Sequence, residues 1–249
     1  SIGEKKDYSR PELSSEDTLF LQYTGGTTGV SKGAELTHGN LVAHSKQIRL
    51  WFQPLLSKDH QETIVTAIPM YHIFALAVNG IFGFYMGMQS ILITNPRDMK
   101  GFIKEISKYK FSIITGVNTL FNGMLNNQDF RNMDFSHLRI SMGGGMAVQD
   151  FVARKWTEVT NSPLVEGYGL SETSPVLTVN PLDGTHRMGS RLSQNKQLDS
   201  KTDYLYLTFE ELLYSTETKS FKSLVSSRKS DYEEFKKHSH AHRYAQTKS

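Results

Sequence analysis

The sequence predicts an α/β fold, a mostly parallel sheet flanked by helices, followed by an irregular, partly helical C-terminal tail. Three observations predict it. Between residues 63 and 165, short β-branched runs alternate with stretches of helical period, the pattern of β-α-β units in a parallel sheet. Segments rich in Gly, Pro or Asn close most of those runs, as turns at strand ends require. The chain has 249 residues, 38% hydrophobic and 21% charged, enough for one large core or two small ones.

The elements follow in order. Residues 1–15 are polar and read as a lead-in. Leu19-Phe-Leu-Gln-Tyr23 and Ala34-Glu-Leu-Thr37 flank a glycine-rich stretch, which therefore reads as a turn between two strands. Thr37 is placed to cap a helix from His38 to Trp51, and Pro54 ends that pattern. Residues 57–62 read as a charged surface turn. Thr63-Ile-Val-Thr-Ala-Ile68 is a buried strand. Ile73 to Met86 is nearly all apolar, and a run of that length reads as a buried core helix, not a transmembrane span. Ser90-Ile-Leu-Ile-Thr94 is the next strand and Met99 to Tyr109 an amphipathic helix. Ser112-Ile-Ile-Thr115 is followed by a short helix from Thr119 to Asn126. Leu138-Arg-Ile-Ser141 is followed by a helix from Ala147 to Thr160, and Pro163-Leu-Val165 is the last strand of the series.

In open α/β sheets, ligands sit beyond the carboxyl ends of the strands. Four unusual segments are predicted there: Pro69-Met-Tyr-His72, Gly116-Val-Asn-Thr119, Gly143-Gly-Gly-Met146 and Glu166-Gly-Tyr-Gly-Leu-Ser-Glu-Thr173. The richest candidate site lies upstream of them, in Tyr23-Thr-Gly-Gly-Thr-Thr-Gly-Val-Ser-Lys-Gly33. Glycines let the backbone turn and come close to a ligand. Successive N–H groups in such a turn form an anion nest. The hydroxyls of Thr24, Thr27, Thr28 and Ser31 and the charge of Lys32 complete a polyphosphate cradle. It is not a Walker A loop, because Lys32 follows Ser31 and precedes Gly33.

This stretch resembles the phosphate-binding loop of adenylate-forming enzymes, written YTSGTTGxPKG, with Gly25 in place of Ser and Ser31 in place of Pro. Tyr168-Gly-Leu-Ser-Glu172 resembles the YGxTE motif of that family, with Ser171 in place of Thr, and Pro69-Met-Tyr-His-Ile-Phe74 resembles its PxxHxxG-type segment. Residues 16–190 are similar to bacterial long-chain fatty acyl-CoA synthetases. The resemblance implies part of an N-terminal AMP-binding domain, and a reaction that activates a long-chain fatty acid with ATP and passes it to coenzyme A. It implies ATP contacts from Thr24, Gly25, Gly26, Thr27, Thr28, Gly29 and Lys32, and from Gly144, Gly145, Glu166, Gly167, Tyr168 and Ser171. Tyr168 would pack on adenine, and Thr27 and Glu172 would hold Mg²⁺. His72, Ile73, Phe74, Gly116, Val117, Asn118 and Gly143 would form the acyl pocket, and Lys32, Glu172 and His72 the catalytic set. Read without the resemblance, Glu172 is equally a solvated surface carboxylate, Tyr168 a core tyrosine and the acyl-pocket set ordinary core.

Composition narrows the field. A net charge of +3 makes no case for nucleic acid. The absence of cysteine excludes disulfides and thiolate metal sites, and any thioester chemistry needs a thiol from elsewhere. The N-terminus has no apolar h-region, so no signal peptide is expected, and it opens on Ser1, as a piece of a longer gene product would. The resemblance implies a cytoplasmic protein with peripheral contact at the inner membrane.

Residues 191–249 read as an unrelated or poorly ordered tail with a helical segment. Tyr204-Leu-Tyr-Leu-Thr-Phe-Glu-Glu-Leu212 and Arg228-Lys-Ser-Asp-Tyr-Glu-Glu234 resemble the connecting segment of phosphoenolpyruvate-utilising phosphotransferases, without the phosphohistidine motif of that group. His238, His240 and His242 alternate there, and a polar tail is preferred over a metal site. No match to the family's Thr-Gly-Asp motif follows Glu172, and no lysine at 219–248 sits in the context of its adenylation lysine. The expectation is an incomplete copy of the ligase, with a non-catalytic nucleotide-binding remnant or gene-fusion fragment as the alternative.

Overall fold

Ile64, Val65, Ile113, Ile114 and Ile140 are β-branched and fully buried, and such side chains pack well on a pleated surface. They form the centre of a six-stranded sheet of order β4-β3-β5-β6-β7-β8. The computed structural model describes residue 9, residues 11–24 and residues 32–182. Its strands are β1 (Thr18–Thr24), β2 (Lys32–Thr37), β3 (Thr63–Thr66), β4 (Gln89–Leu92), β5 (Ile113–Gly116), β6 (Ile140–Gly143), β7 (Leu164–Gly169) and β8 (Val176–Val179). β1 and β2 form a separate antiparallel hairpin, closed at the glycine-rich loop by the pair Thr24 and Lys32. β4, β3, β5, β6 and β7 run parallel, and β8 is antiparallel to β7.

The helices are α1 (His38–Phe52), α2 (Gly83–Tyr85), α3 (Met99–Ile106), α4 (Asn118–Leu125), α5 (Gln128–Arg131) and α6 (Asp150–Thr160). A π-helical segment, Ala75–Phe82, leads directly into α2. Alternation along the strands sends successive residues to opposite faces. Val65 and Ile114 meet Phe102, Phe121 and Trp156 of α3, α4 and α6 on one face. Ile64 and Ile113 meet Phe52 of α1 and Val78 and Phe82 of the π-helical segment on the other. The sheet is thus the middle of three layers. The predicted α/β architecture with a mostly parallel sheet is the observed one.

Thr37 caps α1 as its sequence position predicts. Its hydroxyl accepts from the Asn40 N–H at 3.2 Å, and the Asn40 side chain accepts from the Thr37 N–H at 2.9 Å. Other expectations are corrected. The helix read from Ala147 begins only at Asp150, because the N–H groups of Val148 and Gln149 are taken by side chains of other elements. Glu166 to Gly169 lie within β7 and not after it, because β8 pairs with them through Gly167–Val179 and Tyr168–Thr178. The core helix read from Ile73 to Met86 is π-helical over its middle. Glu62, read as part of a surface turn, is buried and paired with Arg139.

Candidate active site at the carboxyl rim of the sheet

Parallel strands place their carboxyl ends on one rim, and three of the four predicted segments meet there around a cavity of about 380 Å³. From the loop after β3 comes His72, and from the helical turn that follows it come Ile73 and Phe74. From the end of β6 come Met142, Gly144 and Gly145. β7 and the turn after it supply Gly167, Tyr168, Gly169, Leu170, Ser171 and Glu172, and Pro175 and Val176 close the wall. These stretches are far apart in the chain, and only the sheet brings them together.

Local chemistry shapes each wall. The Phe74 N–H donates to Nδ1 of His72 at 3.2 Å, so a neutral His72 ring carries its proton on Nε2. Gly145 has φ +74°, a conformation that favours glycine. A Cβ at Gly169 would lie 1.7 Å from the Pro175 carbonyl oxygen, so only glycine lets the chain fold back there. The turn Ser171–Thr173 is fastened by the Thr173 hydroxyl, which accepts from the Leu170 N–H at 2.9 Å. Glu172 sits half-buried on this turn, and β2 packs against the same turn. On the other side, Nε2 of Gln22 in β1 donates to the Tyr71 carbonyl at 3.0 Å. The hairpin that carries the glycine-rich loop is therefore anchored to the rim on both flanks.

His44 of α1 supports the cavity from beneath. Burial pushes its pKa down to about 3, so the ring is neutral, and its Nε2 accepts from the Val176 N–H at 3.4 Å. Nothing in the pattern of α1 marked His44 beyond its place on the helix face that includes Leu41 and Ile48.

Gly25, Gly26, Thr27, Thr28 and Gly29 lie outside the described residues, as do the side chains of Thr24 and Lys32; so do the tail features, including His238, His240 and His242. Gly116, Val117, Asn118, Gly143 and Glu166 do not line the cavity among the described residues. Gly116 and Gly143 are packing positions. A Cβ at Gly116 would stand 3.0 Å from Leu120, and one at Gly143 would stand 2.4 Å from Val148. Asn118 and Glu166 bind backbone N–H groups at Gln149 and Val148. Sequence reasoning missed Met142 at the end of β6, and also the pair Pro175 and Val176. The Ser174-Pro175 turn signal before the run Val176-Leu-Thr-Val179 could have found that pair.

The donor set suits a substrate-borne cation. Among the described residues no group of three or more His, Cys, Asp or Glu side chains could hold a metal, whereas Mg²⁺ on a nucleotide needs one or two carboxylates besides phosphate oxygens, and Glu172 faces the cavity. Among the described residues, no helix is long and apolar enough to cross a membrane.

A parallel sheet with a glycine-rich hairpin docked on its carboxyl rim defines a class, and the family model for AMP-binding enzymes matches residues 2–198. The chain belongs to the AMP-binding enzyme family. It is 53% identical over 188 residues to the long-chain-fatty-acid–CoA ligase of Escherichia coli O6:H1, a match covering 76% of this chain and 33% of that protein. It is 50% identical over 192 residues to the protein of the same name from Haemophilus influenzae, covering 76% of this chain and 34% of that one. The chain thus spans about a third of the length of these relatives. The crystal structure of a fatty acid AMP ligase from Legionella pneumophila shares the fold, with a TM-score of 0.61 and 21% identity over 70% of this chain and 32% of that one.

Proposed function

We propose that this chain supplies the nucleotide-facing part of a site that activates long-chain fatty acids with ATP and transfers them to coenzyme A. The observation that carries the reading is the rim cavity, where His72, Gly144, Gly145, Tyr168 and Glu172 converge beside the hairpin of the glycine-rich loop. The half-identical ligases support the substrate class.

The chemistry follows from this arrangement. A carboxylate oxygen of the fatty acid attacks the α-phosphorus of ATP. The bond from that phosphorus to the α,β-bridging oxygen breaks, and pyrophosphate leaves with that oxygen, giving the acyl-adenylate. The coenzyme A thiol then attacks the acyl carbonyl, loses its proton, and AMP departs. Neither step needs a nucleophile from the protein, whose work is positioning and charge neutralisation. Tyr168, 41% exposed at the cavity wall, offers its ring to adenine. Gly144 and Gly145 let the backbone approach the base and the acyl carbonyl, and Ile73 and Phe74 give the acyl end an apolar wall. His72 presents its Nε2 proton to the substrate carboxylate. Thr24, Thr27, Thr28 and Lys32 are assigned to the departing pyrophosphate. Glu172, with Thr27, would hold the magnesium ion that accompanies ATP, and that ion would supply charge neutralisation on the phosphates.

ATP–pyrophosphate exchange in the presence of a long-chain fatty acid, beside calorimetry with Mg·ATP, tests the reading. Exchange dependent on fatty acid is the expected result. Because the chain matches about a third of the ligases' length, a second reading stands beside it: nucleotide binding without turnover. Binding without exchange would establish that one, and neither binding nor exchange would overturn both.

A further inference from the structure

A loop made of glycines has no side chains with which to hold its own shape, and glycine gives up more conformational freedom than any other residue on becoming ordered. Gly143-Gly-Gly-Met146 is such a loop, and it carries Gly144 and Gly145 into the cavity. Its anchors come from elsewhere. The Gly144 N–H donates to the Gly116 carbonyl at the end of β5, at 3.1 Å. Directly downstream, the Val148 N–H donates to Oε1 of Glu166 in β7 at 2.8 Å. The Gln149 N–H donates to Oδ1 of Asn118 at 2.9 Å, and the Asn118 side-chain amide donates back to Oε1 of Gln149 at 3.2 Å. Val148 is buried, and its methyl group lies against Gly143 so closely that no Cβ fits there. These contacts stop the chain before α6 and fold it back over its own start.

We infer that Glu166 and Asn118 are positioning residues for the glycine loop, clamping the backbone at Val148 and Gln149 so that Gly144 and Gly145 are held at the nucleotide. The inference rests on the adenylating function proposed above and changes the roles of both residues. Glu166 acts on ATP only through the Val148 amide, and Asn118 acts on the loop and not on the acyl chain. What matters at position 166 is an acceptor at glutamate's reach, and the negative charge is incidental. At position 118 the acceptor for Gln149 matters most.

Two substitutions separate acceptor reach from charge. Glu166→Gln keeps an oxygen acceptor at the same reach and removes the charge. Glu166→Asp keeps the charge and withdraws the acceptor by one methylene. Asn118→Asp retains the acceptor for Gln149, and Asn118→Ala removes it. Hydrogen exchange of the peptide spanning residues 143–149 and calorimetric affinity for Mg·ATP are measured on the whole chain. Glu166→Gln and Asn118→Asp are expected to stay within about twofold of the parent, while Glu166→Asp and Asn118→Ala raise exchange and weaken Mg·ATP binding by about tenfold, the scale of one lost hydrogen bond. Exchange in β5 should not change, which separates loop release from general unfolding. A Glu166→Gln variant as impaired as Glu166→Asp, or more so, would overturn the inference, because charge would then be the operative property. Unchanged exchange in Glu166→Asp and Asn118→Ala would overturn it as well. If the parent chain binds no Mg·ATP, the functional proposal fails, and the exchange comparison still decides whether these residues hold the loop.

Discussion

Glu172 carries the one carboxylate among the described residues lining the rim cavity, whose other walls are mostly glycines, aromatic rings and apolar side chains, with the Ser171 hydroxyl beside it in the chain. A charge on such a surface gains most from a cation brought by the ligand. Glu172→Ala should weaken Mg·ATP binding about tenfold or more, since contacts to charged groups contribute roughly 1.5–3 kcal/mol. Calorimetry reads this directly, and unchanged affinity would return Glu172 to the rank of a surface residue. His44 is the second residue with a defined consequence. Its pKa is near 6.5 when the chain is unfolded and is pushed down to about 3 by burial in the fold. Between those values the unfolded chain holds the extra proton. Stability from this group is therefore full above pH 6.5 and falls as the pH drops toward about 3, with a slope approaching about 1.4 kcal/mol per pH unit. His44→Gln keeps an acceptor for the Val176 N–H and removes that slope. Urea melts of both proteins at about pH 7 and about pH 5 should show the variant losing less stability on acidification.

At the scale of elements, the π-helical segment Ala75–Phe82 is tied to the sheet by one buried polar side chain. Asn79 donates to the Val65 carbonyl at 3.2 Å and to the Thr66 hydroxyl at 3.0 Å, and accepts from the Thr115 hydroxyl at 3.0 Å. Buried polar groups that lose their partners are more damaging than the average bond is stabilising. Asn79→Leu, close in volume, should therefore destabilise by about 1–3 kcal/mol, because three hydrogen bonds are lost and the Thr115 hydroxyl loses its acceptor, while the Thr66 hydroxyl keeps Ser90 at 3.0 Å. Denaturant melts measure the effect. Since the segment continues the chain from His72 to Phe74, it should also displace that wall of the cavity. The existence of this helix was legible in its apolar run. Its π-helical course was not, because the partners of Asn79 lie in β3 and β5. The start of α6 and the end of β7 were misplaced for the same reason. Each is decided by a group distant in the chain: Glu166 and Asn118 for α6, and β8 for β7.

Across the whole molecule, the face of the sheet opposite α1 is organised around Trp156. It is fully buried and stacks edge-on to Phe121 at 4.8 Å and tilted against Phe130 at 5.3 Å. Among the described residues its indole N–H has no hydrogen-bond partner. Trp156→Ala should lower stability by about 3–5 kcal/mol through the cavity it leaves. Trp156→Phe should cost less than its volume suggests, about 1–2 kcal/mol, because it also removes an unsatisfied donor. Urea melts of the two variants compare cavity and polar terms on one site. A loss for Trp156→Phe well above about 2 kcal/mol would show that the indole N–H is satisfied in solution.

The sequence by itself determined the α/β class, the order of strands and helices from Thr37 to Val165 apart from the short α5, the cap of α1 and the segments that gather at the rim. These follow from local periodicity, turn chemistry and capping, which act over a few residues. Tertiary structure alone decided which rim residues face the cavity and which hold its walls. Glu166 and Tyr168 are two positions apart in one strand, yet one side chain clamps the Val148 amide and the other lines the cavity. It also buried Glu62 against Arg139, far along the chain, and placed His44 where its Nε2 accepts from the Val176 N–H at the cavity wall. No local pattern encodes such assignments, because each depends on which distant backbone N–H or charge the packed sheet brings within reach.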